Sequence, residues 1–274
     1  MESEAVLAVP DGPYWGERTE RLRERFDTGE ERAPASLLSA FGLLKKAVAR
    51  VNFALLPERM NEERCAAIFA AADELIRGRR TGDFPLSVRR AGAESELNDN
   101  VNEVIAARGS EMADQPGLVS AEEPELSFAP GGAFPAASRI AAALAVDRLL
   151  SAARTLAAHD RAALERLAER LYALPPCASA DAPEGMDALV AQELARQTGK
   201  PFRAGKADGT DDALREASRV LKQLEAAAYP SESAIAADDG CDSGAVAVYD
   251  FLQTAQRLEE ALARIQNGNG GMEA

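Results

Sequence analysis

Between Ala136 and Tyr172 the apolar residues Ile140, Leu144, Leu149, Ala153, Leu156, Leu164, Leu167 and Leu171 form a seam, with Arg, Asp and Glu filling the other positions. The steps follow the helical period. A helix with one apolar stripe and a charged remainder must bury that stripe against other helices. The seam therefore predicts one long helix over Ala136–Tyr172 inside a helical bundle, and the fold class is all-α, mostly helical.

The remaining sequence supplies the neighbours. Leu37, Leu38, Phe41, Leu44, Val48 and Val51 repeat at three and four residues and predict a helix over Leu37–Val51. A second helix is expected over Asn61–Arg77, with Asn61 as N-cap and Gly78 as its stop. Thr81–Leu86 reads as a turn, followed by a helix over Asn98–Arg108. Gly109–Pro135 is rich in Gly, Pro, Ser and Glu without periodicity, a long loop of the kind that carries function or disorder. Shorter helices are expected over Gly185–Gln197, Asp212–Ala228 and Ala245–Ile265, the last stopped at Asn267-Gly268 before a flexible tail, residues 267–274.

Composition narrows the classes. The 274 residues are 46% hydrophobic and 28% charged, which suffices for one large core or two modest ones. With a net charge of −14, the acids cancel the clustered Lys and Arg that phosphate binding needs, so no nucleic-acid partner is expected. The opening residues MESEAVLAVPDG have no basic segment followed by an apolar run, and no stretch approaches the ~20 apolar residues of a bilayer span. No membrane partner is expected, and the cytoplasm is the expected location. Cys65, Cys177 and Cys241 are odd in number and widely separated, and read as buried thiols. The single histidine, His159, has no Cys or second His at ligand spacing, so no metal is expected. It reads as a surface or groove residue rather than a catalytic one.

Four dispersed segments keep a recognisable order and spacing. VPDGPYWGERTERLRERF (Val9–Phe26), LLKKAVARVN (Leu43–Asn52), IFAAADELIRGR (Ile68–Arg79) and DFPLSVRRAGAESELNDNVNEVIAAR (Asp83–Arg108) resemble the amino-terminal domain of the fumarase/aspartase superfamily, which includes class II fumarate hydratase and aspartate ammonia-lyase. GMDALVAQELARQTGKPFRAG and ALREASRVLKQLEAAA resemble a later stretch of that family's central helical domain. The resemblance implies a fumarase/aspartase-like amino-terminal domain over residues 1–135 and a truncated central helical domain, a shortened bundle, over 136–266. It also implies cofactor-free elimination of water or ammonia from a dicarboxylate, with sites assembled between subunits of a tetramer.

The family's site regions are only partly kept. Its first region, approximately TGSGT-x-SN-x-NVNEVI, holds substrate carboxylates through hydroxyls and amides. Aligned through NVNEVI, its serine falls on Ala93, its second glycine on Glu94, its threonine on Ser95, its second serine on Leu97 and its asparagine on Asn98. Ser95 and Asn98 keep suitable chemistry and are the residual substrate-binding candidates, with Arg89 and Arg90. Glu94, Glu96 and Asp99 bring negative charge, each costing about 4 kcal/mol against a carboxylate at about 4 Å and an effective dielectric of about 20. That outweighs hydrogen bonds of about 1 kcal/mol each. Arg89 and Arg90 either offset this repulsion or pair with the glutamates.

The family's SSND before FPTA is replaced by Pro130, Gly131, Gly132 and Ala133 before FPAA. Its G-x-T-H stretch and its mobile GSS-x-MPGK-x-NP loop have no counterpart, and Tyr229–Gly244 carries serines without a lysine. No catalytic residue is assigned.

Two functional classes follow. One is a catalytically degenerate homologue acting through helical association, as a homo-oligomer or a hetero-oligomer with a complete family member, and then through the 136–172 seam. The other is an active lyase acting on a dicarboxylate through a rebuilt site of Arg89, Arg90, Ser95, Asn98 and His159. Isolated donors without a base give no proton-transfer catalysis, which favours the first. Asn98, Asn100 and Asn102 then read as helix-start and packing amides.

Overall fold

A computed structural model describes residues 13–25, 31–89, 92–152, 158–206, 215, 217–224 and 244–269. The described chain is mostly helix: α1 (Glu17–Arg25), α2 (Ala35–Leu55), α3 (Glu62–Ile76), α4 (Ala93–Met112), α5 (Ala133–Ala152), α6 (Ala158–Leu171), α7 (Met186–Thr198), a helical stretch at 217–224 (α8) and α9 (Gly244–Asn269). Among the described residues the only sheet is a parallel pair, β1 (Ala173–Leu174) and β2 (Arg203–Ala204).

α2 buries Leu37, Leu38, Phe41, Leu44, Val48 and Val51, the predicted stripe. It packs against α3, α5 and α7. Gly42 lets α3 come close, since a Cβ there would lie 2.8 Å from the Ala72 carbonyl oxygen. α3 starts as its sequence predicts, with the Asn61 side chain accepting from the Arg64 amide at 2.9 Å and Glu62 and Glu63 in the first turn beside the positive end of the helix dipole.

α4 begins five residues before the predicted Asn98. Glu94 and Glu96 sit in its first turn, where acids are favoured, and the Ser95 hydroxyl donates to the Gly92 carbonyl at 3.1 Å. The three asparagines consequently lie inside the helix rather than at its start.

The predicted single helix over Ala136–Tyr172 is corrected to two, α5 and α6, packed against each other. Arg139 donates to the carbonyls of Arg170 at 3.4 Å and Ala173 at 2.6 Å, whereas residues that far apart in a continuous helix would stand about 46 Å apart at about 1.5 Å per residue. The seam residues Ile140, Leu149, Leu164, Leu167 and Leu171 are therefore buried within the chain. Leu156 and Ala153 lie outside the described residues.

α5 is buried on nearly all sides, and its alanines allow helices to approach from several directions. α2 lies against it, as does α9. α9 supplies Val248, Phe251, Leu252, Ala255, Leu258 and Leu262 at helical spacing, all buried. It runs through Asn267 and Gly268 to Asn269. The expected 212–228 helix is described only in part, and Cys241 and residues 270–274 lie outside the described residues. Cys65 and Cys177 are buried free thiols. Among the described residues, no helix is long and apolar enough to cross a membrane.

Candidate functional site

One ionisable residue sits on the buried stripe of α2. Lys45 follows Phe41 by four residues and precedes Val48 by three, and its side chain is wholly buried. The amine donates to Asn98 Oδ1 at 2.8 Å and lies 3.5 Å from Glu125 Oε2. Asn98 Nδ2 donates to the same Glu125 oxygen at 2.6 Å, and the Asn102 side chain adds a further hydrogen bond to Glu125.

Three separate elements thus meet at one carboxylate: α2, α4 and the single 3₁₀ turn Glu123–Glu125 of the long loop. Two turns further along α2, Asn52 bonds to that loop. Asn52 Nδ2 donates to the Leu126 carbonyl at 2.7 Å, and the Ser127 hydroxyl donates to Asn52 Oδ1 at 2.7 Å.

Burial pushes the Lys45 amine down to about 8, against the upward pull of Glu125. Burial raises the Glu125 carboxyl, but Lys45 and the hydrogen bonds of Asn98, Asn102 and Lys45 outweigh it and hold the group below its usual value. The pair is ionised at neutral pH, and Lys45 is the partner that depends on it, because leaving a buried charge uncompensated costs roughly 3–5 kcal/mol, whereas the Glu125 side chain is 34% exposed.

Among the described residues, Ser95, Asn98 and Arg89 have separate partners. Ser95 is exposed and bonded to its own helix start. Arg89 pairs with Glu31 and with Asp250, 3.6 Å away, and stacks over Tyr249 at 6.0 Å, so it binds α9 rather than Glu94 or Glu96. Arg90 lies outside the described residues. His159 is in the first turn of α6, its side chain undescribed. Asp99 faces Arg18 at 3.0 Å. Glu94 Oε1 accepts from the Ala245 amide at 3.2 Å, at the start of α9.

The rest of NDNVNEVIAAR is structural. Asn100 Nδ2 donates to the Asp83 carbonyl at 3.1 Å. Glu103 accepts from the amides of Gly16 and Arg18 at 3.0 Å and of Thr19 at 3.3 Å, capping α1. Arg108 grips both oxygens of Glu74 at 2.9 Å.

At the start of α5 the backbone of Gly132 packs closely against Cys177. A Cβ on Gly132 would lie 3.0 Å from the Cys177 carbonyl oxygen and 3.1 Å from its Cβ. The Cys177 strand is held there by Ala129 N to Cys177 O at 2.8 Å and Ser179 N to Ser127 O at 2.9 Å. Asp187 fixes its other side, accepting from the amides of Cys177 at 2.9 Å and Ala178 at 3.0 Å. Burial and the Asp187 carboxylate keep the Cys177 thiol protonated. A surface cavity of ≈ 550 Å³ lies between the Pro13–Gly16 segment and α4, bordered by Tyr14, Trp15, Glu103 and Glu111. It includes none of the sequence candidates. Among the described residues, no three His, Cys, Asp or Glu are placed to hold a metal.

Known proteins share both sequence and fold. Fumarate hydratase class II 1 of Pseudomonas aeruginosa is 40% identical over 154 residues, covering 54% of this chain and 33% of that protein. Fumarate hydratase class II of Myxococcus xanthus is 30% identical over 278 residues, covering 81% of this chain and 59% of that protein. A crystal structure described as fumarate lyase:delta crystallin from Brucella melitensis bound to cobalt superposes with a TM-score of 0.71 at 19% identity, over 94% of this chain and 80% of that one. The recombinant class II fumarase of Schistosoma mansoni gives 0.64 at 15% identity, over 93% and 79%. A family model described as Lyase matches residues 7–173, more than half of the chain. The chain belongs to this lyase family, within the fumarase/aspartase superfamily.

This member spans about a third of the length of the first curated relatives it matches. The Myxococcus alignment is longer than the whole 274-residue chain yet uses 81% of it, so part of that relative stands opposite gaps here. Within the superfamily's first region, Ala93 and Leu97 are core residues, Glu94 caps α9, and Asn98 is occupied by Lys45 and Glu125. Residues 229–243, the only serine-rich stretch near the position of the family's mobile loop, lie outside the described residues.

Lys45 and Glu125 were not singled out by the sequence reading. Lys45 had a signal, a charge on the apolar stripe of α2. Glu125 had none, being one of four glutamates in an aperiodic stretch from Glu111 to Glu125.

Proposed function

We propose that this chain is a catalytically silent member of the fumarase/aspartase superfamily that acts in the cytoplasm by association, with a second copy or with a complete family member. The observation that supports the reading is the engagement of both retained regions within the chain: Gly132 packs closely against Cys177, and Asn98 bonds to Lys45 and Glu125. Neither region presents a base to a substrate, and proton abstraction next to a carboxylate requires one within hydrogen-bond reach.

The association surface in this reading is not the described part of the seam, whose residues Ile140, Leu149, Leu164, Leu167 and Leu171 are buried within the chain. Among the described residues, Leu55, Met112 and Leu189 are the large apolar side chains left exposed, so the contact is mainly polar. A second reading, an active lyase adding or eliminating water or ammonia on a dicarboxylate, has one observation in its favour: Asn98 keeps a lysine beside it.

Light-scattering mass of the pure chain, and of its mixture with a complete fumarate hydratase or aspartate ammonia-lyase from the same cell, tests association. The expected result is a mass above the monomer in at least one sample. A monomer throughout contradicts it.

A further inference from the structure

We propose that Lys45, Asn98 and Asn102 form a carboxylate-receiving cradle that the chain fills with its own Glu125, and that a free short monocarboxylate takes the same place when that side chain is removed. The cradle is defined by contacts from two helices converging on one carboxylate: the ammonium 3.5 Å away, the Asn98 amide at 2.6 Å and the Asn102 amide beside it. Lys45 is fully buried, and Asn98 and Asn102 nearly so. All three donors are therefore enclosed by the surrounding helices.

Their occupant is different in kind. Glu125 comes from a single 3₁₀ turn, and its side chain keeps 34% of its exposure. A preorganised set of donors around a group with a solvent path is the arrangement from which one carboxylate can be replaced by another. Removing Glu125 leaves Lys45 buried without a counter-charge, and an entering carboxylate relieves that penalty. The inference goes beyond the question of turnover and stands whether or not turnover is found.

The test uses side-chain truncation and size-matched replacement in the full chain. Glu125→Ala removes a fragment the size of acetate, and Glu125→Gly one the size of propionate. Both variants are expected to melt several degrees below wild type. Acetate should raise the melting temperature of Glu125→Ala, propionate that of Glu125→Gly, each rising with the logarithm of concentration above its Kd. Sodium chloride at the same ionic strength should not substitute, wild type should respond weakly, and Lys45→Met with Glu125→Ala should not respond. If a variant fails to fold alone, recovery of its circular dichroism on refolding in the matched carboxylate is the same readout. Equal recovery in chloride, no recovery in either variant, or an undiminished response without Lys45 overturns the proposal.

Discussion

At the scale of single residues, the chain shows how one lysine on an apolar stripe changes the chemistry around it. Lys45 sits where Phe41 and Val48 prescribe a hydrocarbon, and its charge is sustained by Glu125 and Asn98. Its folded value of about 8 lies below the ordinary 10.5. Between those limits the unfolded chain holds a proton that the folded chain lacks, so the Lys45 contribution to stability rises with pH across the window and is flat below it. The full rise is about 3 kcal/mol. Glu125, Asp99 and Cys177 act on the amine. Over this window Glu125 and Asp99 stay ionised, and folding keeps Cys177 protonated, while its unfolded titration is common to wild type and Lys45→Met and cancels between them. Urea unfolding of the two proteins should therefore give a stability difference that shifts toward wild type from about pH 8 to 10.5; a difference independent of pH would remove the argument. Lys45 was legible in the sequence as an anomaly. Its partner was not, because a carboxylate reached from a loop leaves no periodic trace.

Among the elements, the helices with a single buried stripe were read well and the one with stripes on several sides was not. α2, α3, α7 and α9 bury one face each, and their apolar spacing carries them. α5 and α6 were read as one helix because the period runs from Leu149 to Leu164 without Gly or Pro to mark a reversal. The reversal is visible only in tertiary contacts, Arg139 to the carbonyls at the end of α6 and Tyr172 Oη to Asp147 at 2.6 Å. This changes what a seam mutation does. Leu164 is fully buried in the monomer, so Leu164→Ala should cost about 2–5 kcal/mol in denaturant unfolding while leaving the solution mass unchanged. A change in mass without loss of stability would place Leu164 at a subunit interface instead. The long loop was correctly marked as unusual, and its use is to bring Glu125 to Lys45 and Leu126 to Asn52.

Across the whole molecule, the superfamily's scaffold and part of its first-region motif are retained, and the described polar residues of that region bond within the chain. α1, α3 and the loop all anchor to the motif NDNVNEVIAAR, through Glu103, Arg108 and Asn98. Family membership was legible from those words. The contacts around Gly132 and Asn98 were not legible, because their partners Cys177 and Glu125 are distant in sequence. The central claim is that this closed scaffold does not catalyse. Fumarate absorbance followed with the pure chain at neutral pH, in water and with added ammonia, tests it most directly. The account predicts no change above buffer; turnover that survives removal of contaminating enzyme and disappears in Asn98→Ala would contradict it.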